Sequence, residues 1–247
     1  MIRAVFLDID GTVLDFDAFV QSCMREGFRQ FGLPPYEDGM YVVFKQINNR
    51  LWQQIERGEI VREQLIDLRW QAVFARLGIK GDARAFEIYF RNALAVSAIP
   101  VAGAGELLPW LSQRFIVCAA SNGPLAQQQS RLQLAGYLPY FHHLFVSEEI
   151  GAQKPALPFF ERSMARLNAG QKAALRPEET LMVGDSLTSD MAGGIGFGMK
   201  TCFFNPHGRR VPDDMPIDCV IGQLSELKTI LEKEESHAQP GSLFPRS

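Results

Sequence analysis

The chain has 247 residues, a formal net charge of −3 at pH 7 and an ordinary apolar content, which is enough for one large domain or a core domain with a smaller one. This charge argues against non-specific binding to nucleic acid, because no basic excess exists to neutralise a phosphate backbone. No stretch is long and apolar enough to cross a membrane, and the apolar N-terminal run is too short for a signal peptide. We therefore expect a cytoplasmic protein that binds neither nucleic acid nor membranes; nothing in the composition indicates its oligomeric state.

The first predicted element is a buried strand that ends in two carboxylates. The apolar run 5–7 leads directly into Asp8 and Asp10, and Gly11 and Thr12 mark the turn that follows. Side chains alternate along an extended chain, so Asp8 and Asp10 point the same way. Two carboxylates held together resist full ionisation unless a cation lies between them or one keeps its proton. The alternatives are a calcium loop, whose further acidic ligands are missing here, and two capping carboxylates on a surface turn.

Four predicted helices follow the first strand, with no strand signal between them. Gly32 and Gly58 mark the ends of the first two helices. Apolar residues recur at helical spacing over four stretches: 16–31, 37–57, 62–77 and 82–96. We expect residues 15–97 to form a helical module inserted after the first strand.

Strands and helices alternate beyond this module. The predicted strands are 115–120, 143–147, 181–183 and 201–204, and the predicted helices are 104–113, 125–135, 158–167, 188–196 and 224–231. Such alternation is typical of parallel strands with helices on both faces of the sheet. The sequence thus predicts an α/β fold, with a Rossmann-like core built from residues 1–14 and 98–235. Residues 236–247 have little to bury and are expected to form a disordered tail.

Polar groups follow two further strands at the edge where sheets of this kind bind ligands. Ser121 and Asn122 precede a predicted helix start, where free N–H groups bind anions, although a plain N-cap has the same pattern. Lys154 precedes Pro155, which restrains it to an extended backbone and so directs its ammonium group. Alone, Lys154 would be an ordinary surface lysine.

The next strand is followed by two more carboxylates, Asp185 and Asp190. Asp185 could cap the following helix, whereas Asp190 lies a turn into that helix and has no such use. Together with Asp8 and Asp10 they form an acidic cluster that a divalent cation would make tolerable. Hard oxygen ligands beside a phosphate site favour Mg²⁺.

These parts describe phosphoryl transfer through an aspartyl-phosphate. Asp8 would attack phosphorus in line, and Asp10 would protonate the leaving oxygen and then deprotonate the hydrolytic water. Mg²⁺ would be held by Asp8, the Asp10 carbonyl and Asp185. Three groups would hold the non-bridging phosphate oxygens: Ser121, the Asn122 backbone and Lys154.

The same residues resemble, in order, the four motifs of the haloacid dehalogenase superfamily. The matching segments are Asp8-x-Asp10-Gly11-Thr12, Ser121-Asn122, Lys154-Pro155 and Gly184-Asp185-Ser186-x-x-x-Asp190. The resemblance covers nearly the whole chain, and it implies that the 15–97 module is a cap that closes over the site. It also implies that Asp190 supports Lys154 or a water on the metal rather than contacting the metal directly.

A closer likeness is to the bacterial pyrimidine 5′-nucleotidases of this superfamily. It rests on Asp15-Phe16-Asp17-Ala18-Phe19, Asn48-x-x-Leu51-Trp52, Gly58-x-Ile60 and Ser147-Glu148-Glu149-Ile150-Gly151. The likeness implies a small phosphorylated metabolite as substrate, a pyrimidine nucleoside monophosphate, with Asn48 and Trp52 facing the base. Trp52 could instead belong to the core of the helical module. The sequence departs from the pattern at Pro124, in the loop 168–177 and at 196–198, and none of these departures touches the catalytic residues.

Other activities on this scaffold stay open. A sugar-phosphate or phosphoglycolate phosphatase would use the same catalytic residues, and so would a phosphomutase. A 2-haloacid dehalogenase would use Asp8 on carbon and needs neither a metal nor a second acid, so Asp10, Asp185 and Asp190 count against it. A non-catalytic regulator would be expected to have lost at least one of the four motifs.

Overall fold

The computed structural model describes the backbone of residues 1–238 and the side chains of residues 1–234. Within this part of the chain, six parallel strands form one sheet in the order β3-β2-β1-β4-β5-β6. The strands are β1 (Ala4–Leu7), β2 (Ile116–Ser121), β3 (His143–Val146), β4 (Thr180–Gly184), β5 (Lys200–Phe204) and β6 (Cys219–Ile221). The predicted parallel α/β fold is confirmed.

Ten α-helices accompany these strands in the described residues. They are α1 (Phe16–Gln30), α2 (Asp38–Glu56), α3 (Leu65–Leu77), α4 (Ala83–Ala95), α5 (Ala104–Ser112), α6 (Leu125–Leu134), α7 (Ser147–Ile150), α8 (Leu157–Ala169), α9 (Ala192–Phe197) and α10 (Leu224–Ala238). Shorter turns of 3₁₀-helix cover Arg62–Gln64, Leu138–Tyr140 and Pro177–Glu179, and a π-helical turn covers Leu187–Met191. No helix in the described range is long and apolar enough to cross a membrane.

The strand register brings the predicted site residues to one edge of the sheet. β1 lies between β2 and β4, and Leu7 is level with both Ala119 and Val183. The residues that follow these positions therefore leave three adjacent strands together at their carboxyl ends. All residues of β1 and β4 are buried, which fits helices on both faces of the sheet and directs attention to this edge as the place for a ligand.

Two apolar layers cover the sheet, one on each face. Leu107, Leu111 and Leu227, from α5 and α10, belong to the layer on one face. Phe160 and Met164 of α8 belong to the layer on the other. The alternation of side chains along each strand divides the buried residues between these layers, so the sheet is packed on both sides.

The helices α1 to α4 have an apolar core of their own, rich in aromatic rings. Trp70 lies at its centre, with its ring centroid 4.4 Å from that of Phe86 and 5.1 Å from that of Phe44. This core is a separate cluster from the two layers on the sheet. The division of the chain at residues 15 and 97 stays a prediction.

The structure differs from the predicted elements in four places. The one-turn helix α7 was not predicted, and it begins at Ser147, the last residue of the strand predicted at 143–147. β6 is an additional strand that was not predicted. It has only three residues, with the half-exposed Val220 in the middle, which is too short for an alternating pattern to be recognised. The helix predicted at 188–196 divides into the π-helical turn and α9. The helix predicted at 224–231 continues to Ala238 through charged residues that favour helix without forming an apolar stripe. Residues 236–238 of the predicted tail are thus helical, and residues 239–247 lie outside the described range.

Candidate active site

The carboxylate of Asp8 lies immediately after β1, at the centre of the open edge of the sheet. Its backbone N–H donates to the Val183 carbonyl at 2.9 Å, which extends the β1–β4 pairing by one residue. The side chain is buried, and its Oδ1 accepts a hydrogen bond of 2.7 Å from the Lys154 Nζ. Burial raises the pKa of the Asp8 carboxyl well above its ordinary value; Lys154 opposes this effect, and the carboxylates of Asp190 and Asp185 add to it.

Lys154 supplies the positive charge that this buried carboxylate needs. Its Nζ donates to Asp8 Oδ1 at 2.7 Å, to Asp190 Oδ1 at 2.6 Å and to the Ala120 carbonyl at 2.5 Å, which uses all three ammonium hydrogens. Burial would lower the pKa of Lys154, but the Asp190 and Asp8 carboxylates outweigh it and raise that pKa above its ordinary value. The ammonium group is therefore charged and fixed beside Asp8.

Asn122 holds the backbone of Lys154. Its Oδ1 accepts from the Lys154 N–H at 2.9 Å, and its Nδ2 donates to the Lys154 carbonyl at 2.9 Å. The sequence prediction gave Asn122 a backbone role toward phosphate and missed this use of the side chain. An amide that pairs with both groups of one residue fixes the loop from which the lysine extends.

Ser121 ends β2 with a buried hydroxyl. Its Oγ accepts a hydrogen bond from the Gly123 N–H at 3.0 Å and another from Gln128 Nε2 at 2.8 Å. Both bonds use lone pairs of the oxygen, so the hydroxyl hydrogen is left to donate to an anion in the cavity.

Three carboxylates meet beside the nucleophile position. One oxygen from each of Asp8, Asp185 and Asp190 lies within 4.8 Å of the others. Burial and the charge of Asp190 raise the pKa of Asp185 to about 7. Gly11, with φ +88°, approaches this group so closely that an added Cβ would lie 2.9 Å from the Asp185 carboxylate. Asp190 also accepts from the Ser186 N–H at 3.0 Å, so both of its oxygens already have donors.

Asp10 is held by two buried side chains of α6. Arg131 Nη1 forms an ion pair with Asp10 Oδ1, and Gln128 Nε2 donates to Asp10 Oδ2 at 2.7 Å. The sequence analysis missed both residues. The available signal was the stripe formed by Gln128, Arg131 and Leu132, in which two polar residues occupy the face that packs against the core.

One cavity of about 1320 Å³ opens above these groups, and all the predicted site residues line it. Its opposite wall comes from the helical module and includes Asn48 and Trp52 of α2. Trp52 is half-buried; it packs against the aromatic core and also lines the cavity.

Asn48 is fixed by a buried ionic network. Its Oδ1 accepts from Arg69 Nη1 at 3.2 Å. Arg69 donates to both oxygens of Glu87, at 3.0 and 2.5 Å, and Arg91 Nε donates to the same carboxylate at 2.8 Å. The acceptor end of the Asn48 amide is therefore occupied, which leaves its NH₂ group to donate to a ligand.

The comparisons with known proteins agree with this arrangement. The family model described as haloacid dehalogenase-like hydrolase matches residues 2–198. The chain belongs to the haloacid dehalogenase-like hydrolases. This match spans the strand ends that carry Asp8, Ser121, Lys154 and Asp185, so the hydrolase family is identified over the same residues that build the cavity edge.

Several relatives are similar over most of this hydrolase. It is 33% identical to the HAD-hydrolase YfnB of Bacillus subtilis (strain 168), over 95% of this chain and 97% of the relative. It is 33% identical to the pyrimidine 5′-nucleotidase PynA of Streptococcus pneumoniae (strain ATCC BAA-255 / R6), over 83% and 84% of the two chains. It is 30% identical to the pyrimidine 5′-nucleotidase YjjG of Escherichia coli (strain K12), over 93% and 97%.

A crystal structure of YfnB has the same fold as this hydrolase. The TM-score is 0.83 at 32% identity, and the match covers 93% of this chain and 98% of the YfnB chain. That crystal form of YfnB is bound to magnesium and is described as revealing interdomain movement. The chain is thus an enzyme of a family whose named relatives include phosphatases and 5′-nucleotidases.

Proposed function

We propose that this hydrolase cleaves phosphomonoesters through an aspartyl-phosphate on Asp8. The observation that carries the proposal is the placement of Asp8, which is buried at the cavity edge with Lys154 at 2.7 Å and Asp185 in the same acidic cluster. The carboxylate nucleophile and the phosphate are both negatively charged, so the attack needs positive charge beside each of them. Lys154 supplies one such charge.

Mg²⁺ is the cofactor that fits the remaining groups. Asp8 and Asp185 are hard oxygen ligands; burial and the charge of Asp190 raise the pKa of Asp185 to about 7, and a bound cation would stabilise its charged form. We propose that Asp8, the Asp10 carbonyl and Asp185 hold the ion, while Asp190, with both oxygens engaged, supports Lys154. Bound there, the cation would neutralise charge between the nucleophile and the phosphoryl group.

The protein side chains divide the work of the reaction. Ser121 donates its hydroxyl hydrogen to a phosphoryl oxygen, and the Lys154 ammonium, whose three hydrogens already have acceptors, attracts another phosphoryl oxygen through its charge. An oxygen of Asp8 forms a bond to phosphorus as the ester P–O bond breaks, and Asp10 gives its proton to the leaving oxygen. The Asp10 carboxylate then takes a proton from water as that water attacks phosphorus and releases Asp8 and inorganic phosphate.

Substitution of the nucleophile tests this mechanism. Asp8→Asn keeps the shape of the side chain and should lower kcat for any phosphate ester by roughly 10⁴-fold, with the fold unchanged by circular dichroism. Asp67→Asn is the matched control, because Asp67 pairs with Arg84 on the exposed surface and should retain full activity. A variant at position 8 that keeps a tenth of the wild-type rate would exclude the covalent route.

Full wild-type activity in chelator, with halide released from a 2-haloacid, would favour a dehalogenase instead.

We further propose a pyrimidine nucleoside monophosphate as the substrate. Asn48 presents an amide donor to the cavity, and pyrimidine bases offer ring carbonyl oxygens as acceptors. Trp52 lies on the same helix and adds an aromatic surface; stacking of a base on such a ring contributes about 1–3 kcal/mol. The relatives PynA and YjjG, both named pyrimidine 5′-nucleotidases, support this choice.

A panel of substrates tests this assignment separately from the mechanism. We would measure kcat/KM with Mg²⁺ for dUMP, dTMP, an adenine nucleotide and a hexose phosphate, in the wild type, in Asn48→Ala and in Gln46→Ala. Gln46 is an exposed amide on the same helix, so its variant is the control. Asn48→Ala should reduce the preference for pyrimidines, whereas Gln46→Ala should not. If the hexose phosphate is the best substrate by tenfold, the nucleotidase assignment is wrong and a sugar-phosphate phosphatase takes its place.

Release of free phosphate, rather than an isomeric phosphate ester, separates a hydrolase from a phosphomutase.

A further inference from the structure

A buried network joins Asp10 to the linker through which the helical module rejoins the sheet. Each oxygen of the Asp10 carboxylate has one partner. Arg131 forms an ion pair with Oδ1, and Gln128 donates to Oδ2 at 2.7 Å. Both donor side chains are almost completely buried, with 1% of Arg131 and none of Gln128 exposed. They lie three residues apart on α6 and so share one face of the helix.

The other contacts of this pair lead to the linker and to the phosphate site. Arg131 Nε donates to the Ser97 carbonyl at 3.1 Å, between the end of α4 and the start of α5. The neighbouring Ser130 Oγ donates to the carbonyl of Ala95, the last residue of α4, at 3.0 Å, so α6 contacts both the end of α4 and the linker. Gln128 Nε2 also donates to Ser121 Oγ at 2.8 Å. The face of α6 thus touches Asp10, Ser121 and the linker together.

Burial of these polar groups is not explained by stability. Removing a guanidinium group and an amide from water is costly, and apolar residues of similar size often stabilise a fold equally well or better. The neighbouring backbone is also shaped to admit Gln128, because a Cβ at Gly123 would clash with the Gln128 amide. The network restricts where the Asp10 carboxylate can point, which is a requirement of catalysis rather than of folding.

We propose that Arg131 and Gln128 are positioning residues that aim Asp10 at the leaving oxygen and tie its orientation to the linker at Ser97. This inference rests on the proposed phosphatase function. Asp10 gives a proton to the leaving oxygen as the P–O ester bond breaks, and it takes one back from water in the second step. A displaced Asp10 therefore matters most when the leaving oxygen cannot depart without a proton.

Substrates with different leaving groups test the proposal. An alkyl phosphate expels a strongly basic alkoxide and needs the acid, whereas p-nitrophenyl phosphate expels a stable phenolate and does not. For Arg131→Met, kcat/KM should fall about 100-fold or more on the best alkyl phosphate substrate of the wild type. On p-nitrophenyl phosphate it should fall less than about threefold, because the acid that gives the 100-fold factor is not needed there. Gln128→Leu should show the same pattern at a smaller size, and Arg131→Lys, which keeps a charged donor, should recover part of the loss.

The controls separate positioning from a structural role. Arg114 lies at the opposite end of β2 and also donates to a backbone carbonyl, that of Trp110, at 3.3 Å. Arg114→Met should therefore leave kcat/KM unchanged for both substrates. If Arg131→Met does not fold, Arg131→Lys decides the question, because Gln128 also contacts Ser121 and its loss could affect both substrates. A parallel loss on both substrates, or no loss on either, would overturn the positioning role while leaving a phosphatase. A wild type that hydrolyses neither ester with Mg²⁺ would overturn the phosphatase function and this inference with it.

Discussion

At the scale of single residues, the site places one ammonium group between two buried carboxylates. Lys154 is within 2.7 Å of Asp8 and 2.6 Å of Asp190, and all three side chains are buried. Such an arrangement is costly to assemble and still more costly to break, because removal of one partner leaves uncompensated charge away from water. The same residues that would serve catalysis therefore also constrain the stability of the fold.

Substitution of Lys154 should show this cost directly. Lys154→Met leaves Asp8 and Asp190 without their counter-charge, and we expect a loss of about 3–5 kcal/mol in the free energy of unfolding, measured in urea without Mg²⁺. Lys200→Met is the control, because Lys200 pairs with Asp218 at 2.7 Å on the surface and should cost less than about 1 kcal/mol. Equal losses in the two variants would contradict a special role for the buried pair.

Asp185 should make the chelator-treated protein less stable as pH rises. Its pKa is raised from 3.8 to about 7 in the folded state by burial and by Asp190. A carboxyl group with a higher pKa in the folded state binds more protons there, so stability is lost as pH increases through that window. The melting temperature in EDTA should therefore fall as pH rises from about 4 to about 7, between the ordinary and the raised pKa of this carboxyl, and Mg²⁺ should remove the slope. Asp185→Asn should reduce the slope, to which the raised pKa of Asp8 also contributes; an unchanged curve would mean that Asp185 does not cause it.

At the scale of elements, the aromatic core of α1 to α4 decides whether the wall above the site forms at all. Trp70 is completely buried among Phe44, Phe86 and Phe90, and within the described residues its indole N–H has no hydrogen-bond partner. Trp70→Ala should cost about 3–5 kcal/mol by urea unfolding, since the cavity cannot collapse among rigid rings. Trp70→Phe should cost much less, because it keeps a ring and removes the unpaired N–H. A loss for Trp70→Phe as large as that for Trp70→Ala would show that the indole nitrogen has an essential partner.

The elements also show what the sequence can and cannot predict. Asp8, Ser121 and Asp185 were predictable because each ends an apolar run, and parallel strands bring their carboxyl ends together. Gln128 and Arg131 were harder to predict, since polar residues on a helix ordinarily face solvent; their spacing with Leu132 was a weak signal, and only the packing shows that this face is buried. Asn48 was proposed from resemblance alone; the structure adds the Arg69 hydrogen bond that fixes its amide.

At the scale of the whole molecule, polar contacts join the helical module to the sheet domain across the cavity. Gln153 Nε2 donates to the Ile55 carbonyl at 2.6 Å, and His207 Nε2 lies 3.5 Å from Asp17 Oδ2. The two chain crossings lie side by side, with the Asp15 N–H donating to the Ile99 carbonyl at 2.8 Å. We propose that residues 15–97 act as a cap that turns about these crossings and excludes water from the reaction when closed.

Gln153 provides the test of this movement, because it precedes Lys154 and its side chain reaches the end of α2. If cap opening breaks this hydrogen bond, its loss should favour the open form by about 0.5–1.5 kcal/mol, or roughly two- to tenfold. Gln153→Ala should therefore lower kcat/KM by that factor, with no change in melting temperature. Gln113→Ala, at an exposed amide beyond α5, is the control. Crystal structures of the free and phosphate-analogue-bound enzyme should differ by a rotation of the 15–97 module as one unit. An identical cap position in both, together with an unaltered kcat/KM in Gln153→Ala, would mean that this contact is static and that the cap does not gate the site.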